Sequence, residues 1–151
     1  MKKYYSISLT TSVKTLVLSF LALSFVALSG CGIMDAAAKL QEYNLEGDKI
    51  PTINSQVGQR KVIRVETAET QKQYTYKSDT VFEDLLQYTL YLRENGWTVI
   101  QDYNLEDMPG NGQLAKASSD EGKILIVAFA YEEEKYAIKV TKIEGTLTFY
   151  E

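Results

Sequence analysis

Hydrophobic and polar positions divide the chain into stretches of different periodicity. Between residues 13 and 28 it is apolar except for Lys14, Thr15 and two serines. From Gly32 to about Gln59 there is no sustained alternation, and Gly47, Pro51 and Gly58 interrupt it, so this stretch reads as a tether. A short helix over residues 35–40 is the most it predicts there, because alanine and leucine favour helix. Alternation then sets in over residues 61–67 and 72–77, which predicts a hairpin. Pairing Thr67 with Lys72 sets Val65 opposite Tyr74 and Ile63 opposite Tyr76 on one face, and leaves Arg64, Glu66, Gln73, Thr75 and Lys77 on the other.

The period changes from two to 3.6 over residues 81–95. Phe82, Leu85, Leu86, Thr89 and Leu92 form the predicted buried stripe, with Tyr88 and Tyr91 at its flanks. Thr80 and Glu83 have the spacing of a capping box, and Gly96 after Asn95 is the expected left-handed stop, with Trp97 folding back on the last turn. Strands are predicted over residues 97–103, 113–118, 123–131 and 135–142, with a short edge strand over 146–150. The expected fold class is α+β: a two-layer sandwich with an antiparallel sheet of five to six strands and one helix packed across it, in the order ββαβββ(β). The helix-facing core should join Phe82, Leu85, Leu86, Leu92 and Trp97 to Val65, Tyr74, Tyr76, Val127, Phe129 and Ile138.

Residues 124–131 are apolar on both faces, which predicts a central strand or a binding surface. If Tyr131 pairs with Tyr136, then Phe129 meets Ile138 and Val127 meets Val140 toward the helix. The same register puts Ala130 opposite Ala137, Ala128 opposite Lys139 and Ile126 opposite Thr141. Closing the preceding turn with Ser118 opposite Lys123 adds Ala117 beside Ile124 and Ala115 beside Ile126. The second face is then a field of Ala115, Ala117, Ala128, Ala130 and Ala137 bordered by Ile124 and Ile126. Three readings compete for it: the tether or last strand folds over it, it is a shallow and tolerably wet surface, or it docks a protein partner or a second copy.

Met1, Lys2 and Lys3 give a basic start to the apolar run, which is the layout of an export signal. From Leu16 to Leu28 the run is about 13 residues, short of the ~20 that span a bilayer. It ends in Leu28-Ser29-Gly30-Cys31, which resembles the lipobox of bacterial lipoproteins: an aliphatic residue, two small residues, then cysteine. The resemblance implies cleavage after Gly30 and a diacylglyceryl thioether on Cys31, with palmitate-like chains. The protein would then be held by lipid on the extracytoplasmic side of the cell membrane. The implied division is a signal peptide over 1–30, lipidated cysteine and tether over 31–59, and the α+β domain over 60–151. The Tyr88-x-x-Tyr91-Leu92-x-x-Asn95-Gly96-Trp97 stretch resembles a phrase of small Gram-positive lipoproteins and implies no activity.

Composition narrows the chemistry. With 1 Cys and no His in 151 residues, neither an internal disulfide nor a histidine or multi-thiolate metal site can be built. After position 30 the chain carries 13 basic and 20 acidic side chains, a balance of −7 that is poor for binding nucleic acid. Hydrolytic triads usually need histidine as base. Asp102, Glu106 and Asp107 are a carboxylate set that a glycosidase could use, though acids so close together on a loop are more often solvated turn residues. Asp102-x-Asn104-x-Glu106 imitates a calcium loop but has Asp107 where glycine belongs and Gln113 where glutamate belongs. Glu132, Glu133 and Glu134 read as a solvated hairpin tip, and Ser118-Ser119-Asp120 as a turn, since nothing nearby in sequence activates either serine. The sequence therefore predicts no catalytic residue, metal or cofactor. It predicts a non-catalytic binding or assembly module at the cell envelope, the alternatives being a polysaccharide-acting enzyme or an inhibitor of a secreted enzyme.

Overall fold

The computed structural model describes residues 5–8, 26–27, 30–101 and 111–149. The strands are β1 (Tyr5–Ser8), β2 (Val26–Ala27), β3 (Glu42–Leu45), β4 (Asp48–Pro51), β5 (Lys61–Ala68), β6 (Gln71–Lys77), β7 (Thr98–Gln101), β8 (Asn111–Ala117), β9 (Lys123–Glu132), β10 (Lys135–Glu144) and β11 (Thr146–Phe149). The helices are α1 (Cys31–Lys39), α2 (Asn54–Val57) and α3 (Val81–Glu94). Six antiparallel strands make the main sheet in the order β5-β6-β10-β9-β8-β7, with the two-residue β2 on the outer edge of β5. The chain leaves this sheet at β6, runs through α3, and re-enters at the far edge in β7. The α+β two-layer architecture is the expected one.

Register follows side-chain alternation. Tyr131 pairs with Tyr136, Phe129 with Ile138, Val127 with Val140, Ala128 with Lys139 and Ala115 with Ile126, as the hydrophobic pattern requires. In the β5–β6 hairpin, Thr67 pairs with Lys72 and Val65 with Tyr74, but a bulge between Val62 and Arg64 breaks the sequence. Val62, not Ile63, meets Tyr76, and Ile63 is turned out to 41% exposure. A bulge adds one residue to one strand and inverts the faces beyond it, which alternation alone does not reveal.

The C-terminus of α3 is built as expected. Gly96 has φ +84°, its N–H reaches the Arg93 carbonyl, and the Trp97 N–H reaches Leu92 at 3.0 Å, the paired bonds of a Schellman motif. Trp97 is buried. The N-terminus differs. Thr80 caps no backbone donor and Glu83 is exposed; the Thr80 hydroxyl instead reaches Asp84 at 3.1 Å.

The helix stripe is also rotated from its expected phase. Val81, Asp84, Leu85, Tyr88, Thr89 and Leu92 are buried, whereas Phe82 and Leu86 are only half-buried. The cause is the segment expected to be a tether. Tyr43, Leu45, Ile50 and Ile53 each have at most 1% exposure and belong to the main core with Tyr76, Leu85, Phe129 and Ile138. The β3–β4 hairpin and α2 pack beside α3, and the Tyr88 hydroxyl bonds the Pro51 carbonyl at 2.7 Å, so the helix buries a face shared between sheet and segment. No regular alternation announces a piece this short, whose strands have four residues each.

The strand expected at the edge, β11, pairs with β1 outside the main sheet and contacts β8 and β9. Leu147 packs with Ile100 and Ile143 on a second small core of Ala115, Ile124 and Ile126.

Candidate functional site

Three constellations concentrate the polar chemistry of the described residues. The first lies at the start of α1. Cys31 is its first residue, and Ala37 and Ala38 anchor the helix in the main core alongside β5. Cys31 is thus joined to the fold through a packed helix. Between α1 and β5 runs a groove of about 850 Å³ with Met34, Ala38, Val62 and Ile63 among its walls and Asp35 and Lys61 among its charged residues.

The second is centred on Asp48 and Lys142, 94 positions apart. The Lys142 ammonium, almost wholly buried, lies 2.8 Å from Asp48 and 2.7 Å from Asp120, and donates to the Glu46 carbonyl at 3.1 Å. Asp48 also accepts from the Ser118 hydroxyl at 2.6 Å and the Ser119 N–H at 2.9 Å. Burial works to raise the Asp48 carboxyl, but bonds from Lys142, Ser118 and Ser119 outweigh it and hold it well below the usual carboxylate range. Bonds to Asp120 and Asp48 push the lysine upward in turn. A lysine near Ser118 is what sequence reading could not supply, and here it is. Held protonated, it cannot take a proton from the serine, whose hydrogen is already directed at Asp48. The cluster clamps the β3–β4 turn, where Glu46 and Gly47 both have positive φ, to β10. Beside it, Trp97, Lys49, Lys116 and Ser119 contribute to a cleft of about 410 Å³.

The third surrounds Asp84. Arg60 grips both its oxygens at 2.7 Å, and Ser78, Thr80 and Tyr136 donate at 2.7, 3.1 and 3.1 Å. Burial raises this carboxyl, but bonds from Arg60, Ser78 and Thr80 bring it below its ordinary value. Tyr136 stacks on Tyr76, whose hydroxyl meets that of Tyr43 at 2.6 Å. Burial, then the neighbouring Asp84 charge, drives the Tyr136 phenol far above the ordinary tyrosine range. Every carboxylate oxygen of Asp84 is engaged, so the arrangement ties α3 to the sheet and leaves no acceptor for a substrate.

The predicted second-face residues are brought into the expected register but not into one open field. Ala115, Ile124 and Ile126 are covered with Leu147 over them, Ala128 is buried, Ala130 and Ala137 are half-buried, and Ala117 is exposed. Their strand mates add polar groups: Glu66, buried, pairs with Arg64 and accepts from Gln73 at 2.9 Å. Asp102, Glu106 and Asp107 lie outside the described residues, and Gln113 is buried on β8. Glu132 and Glu134 make ion pairs with Lys135 and Lys77 at an exposed tip. Among the described residues no group of three or more His, Cys, Asp or Glu is placed to hold a metal ion. No protein-family model, curated protein or solved structure matches this chain.

Proposed function

We propose that this protein is a lipid-anchored, extracytoplasmic module of a bacterial cell envelope that works by binding or assembly. The observation that carries the reading is Leu28-Ser29-Gly30-Cys31 directly after an apolar run too short to span a bilayer. One feature of the fold supports it. The buried ionisable groups Asp48, Asp84 and Lys142 are saturated by partners within the chain, as in structural clamps. Binding falls to the exposed surface near the anchor and to Ala117, Ala130 and Ala137 on the second face, whose partner is a protein or a second copy.

Intact mass of the protein extracted from bacterial membranes tests the anchor. The expected species begins at Cys31 and carries a diacylglyceryl group, and Cys31→Ala yields a protein without it. An unmodified Cys31 in the membrane-extracted protein overturns the reading.

A further inference from the structure

We propose that the groove between α1 and β5 holds one acyl chain of the lipid carried by Cys31, an inference that rests on the anchor reading above. Residue 31 stands three, four and seven positions before Met34, Asp35 and Ala38, all of which line the groove. At 3.6 residues per turn these four positions share one flank of the helix. Residue 31 therefore stands at the first turn of the helix, in line with the positions that form a groove wall. Gly30 lines the groove next to residue 31, and cleavage after Gly30 removes it and leaves that end open.

The groove's opposite wall argues for an apolar occupant. The bulge in β5 takes Ile63 out of strand alternation and turns it outward beside Val62. Bulges commonly re-aim a side chain, and here the result is a large aliphatic residue left 41% exposed on a groove wall. Met34 and Ala38 line the groove from α1, while Asp35 on α1 and Gln59, Arg60 and Lys61 around the start of β5 add polar groups suited to the glyceryl ester and the amino end of residue 31. At about 850 Å³ the volume falls within the ~300–1,000 Å³ typical of small-ligand sites. Covalent attachment makes entry intramolecular, so a shallow groove suffices.

Sequestering one chain has a consequence for anchorage. A single acyl chain gives only reversible membrane attachment, whereas two hold firmly. A protein that withdraws one chain into its own groove exchanges between bilayers faster than one that leaves both in the membrane.

The test uses the full chain made in bacteria fed a fatty acid with a diazirine at its far end, irradiated after extraction and digested with trypsin. The expected result is label on Cys31 together with a photo-adduct on the peptide of residues 62–64. Ile63→Glu, at an exposed position, and Met34→Glu, on the facing wall, should each keep the label and the parent's circular dichroism and lose the adduct. They should also slow transfer of the lipidated protein between vesicles. Label on Cys31 without an adduct on 62–64, or an adduct that persists in both variants, overturns this inference and leaves the anchor standing. Absence of label from Cys31 overturns both.

Discussion

Asp84 shows how one residue's environment sets a property of the whole protein. Its carboxylate is buried, gripped by Arg60 and by three hydroxyls, and ionised below its ordinary range. Asp48 is depressed in the same direction by Lys142, Ser118 and Ser119, against the effect of burial. A depressed acid contributes stability that is complete above its unfolded pKa, about 3.9, and is lost as pH falls through the folded value. Stability should therefore decline below about pH 4. Asp84→Asn should cost ~1–3 kcal/mol at neutral pH, the price of leaving buried donors unmatched. Its deficit relative to the parent should shrink as pH drops toward ~2, because the parent loses the same charge there. Urea unfolding over a pH series measures both, and a deficit independent of pH would show that the Asp84 charge is not what matters. None of this was legible in the sequence. Asp84 follows Glu83 in a helix's first turn and reads as a solvated acid; its partner Arg60 is 24 positions away, beyond the reach of periodicity.

At the scale of elements, local rules succeeded where the answer is local. Strand register from β8 through β10 follows from alternation and two turns, and the C-terminal stop of α3 follows from Gly96. They failed where an element has two neighbours. The phase of α3 is a compromise between the sheet and the segment carrying Tyr43, Ile50 and Pro51, so Tyr88 goes fully inside and Leu86 does not. The capping box failed for a related reason, since Thr80 serves Asp84, which Arg60 and Tyr136 hold inside. The observed phase predicts that Leu85→Ala costs ~2–5 kcal/mol, as for a fully buried leucine. Leu86→Ala should cost about 1 kcal/mol, roughly half the full burial value. Denaturant unfolding of the two variants decides the phase, and a larger cost at Leu86 would restore the stripe expected from the pattern alone. The candidate site was legible to a similar degree: the proposed anchor rests on the consecutive residues Leu28-Ser29-Gly30-Cys31, whereas the groove beside it depends on a bulge that no alternation announces.

At the scale of the molecule, the question is whether the chain from residue 31 onward folds as one cooperative unit. Residues 31–59 do more than connect. They supply Tyr43 as the partner of the Tyr76 hydroxyl, Pro51 as acceptor for Tyr88, Asn54 as acceptor for the Arg60 N–H, and Asp48 and Glu46 as ligands of the Lys142 ammonium. A chain beginning at residue 60 strips partners from these groups and from the half-buried Ser118 hydroxyl, which bonds Asp48, and uncovers the core side of Tyr76 and Leu85. Buried tyrosines give the readout. Burial pushes Tyr43, Tyr76 and Tyr88 far above the ordinary phenol range, and Tyr136 as well with help from the Asp84 charge. As pH rises past about 10, the unfolded chain releases phenolic protons that the native state keeps, so stability falls with pH in that window. In the chain of residues 31–151, tyrosinate absorbance from these residues should appear together with loss of secondary structure in a single alkaline transition. In the chain of residues 60–151, tyrosines should ionise gradually near pH ~10 without such a transition, and urea unfolding should lose its cooperativity. If the shorter chain instead keeps a sharp transition and a comparable unfolding midpoint, the segment of residues 31–59 is an appendage, and the sheet with α3 is sufficient by itself.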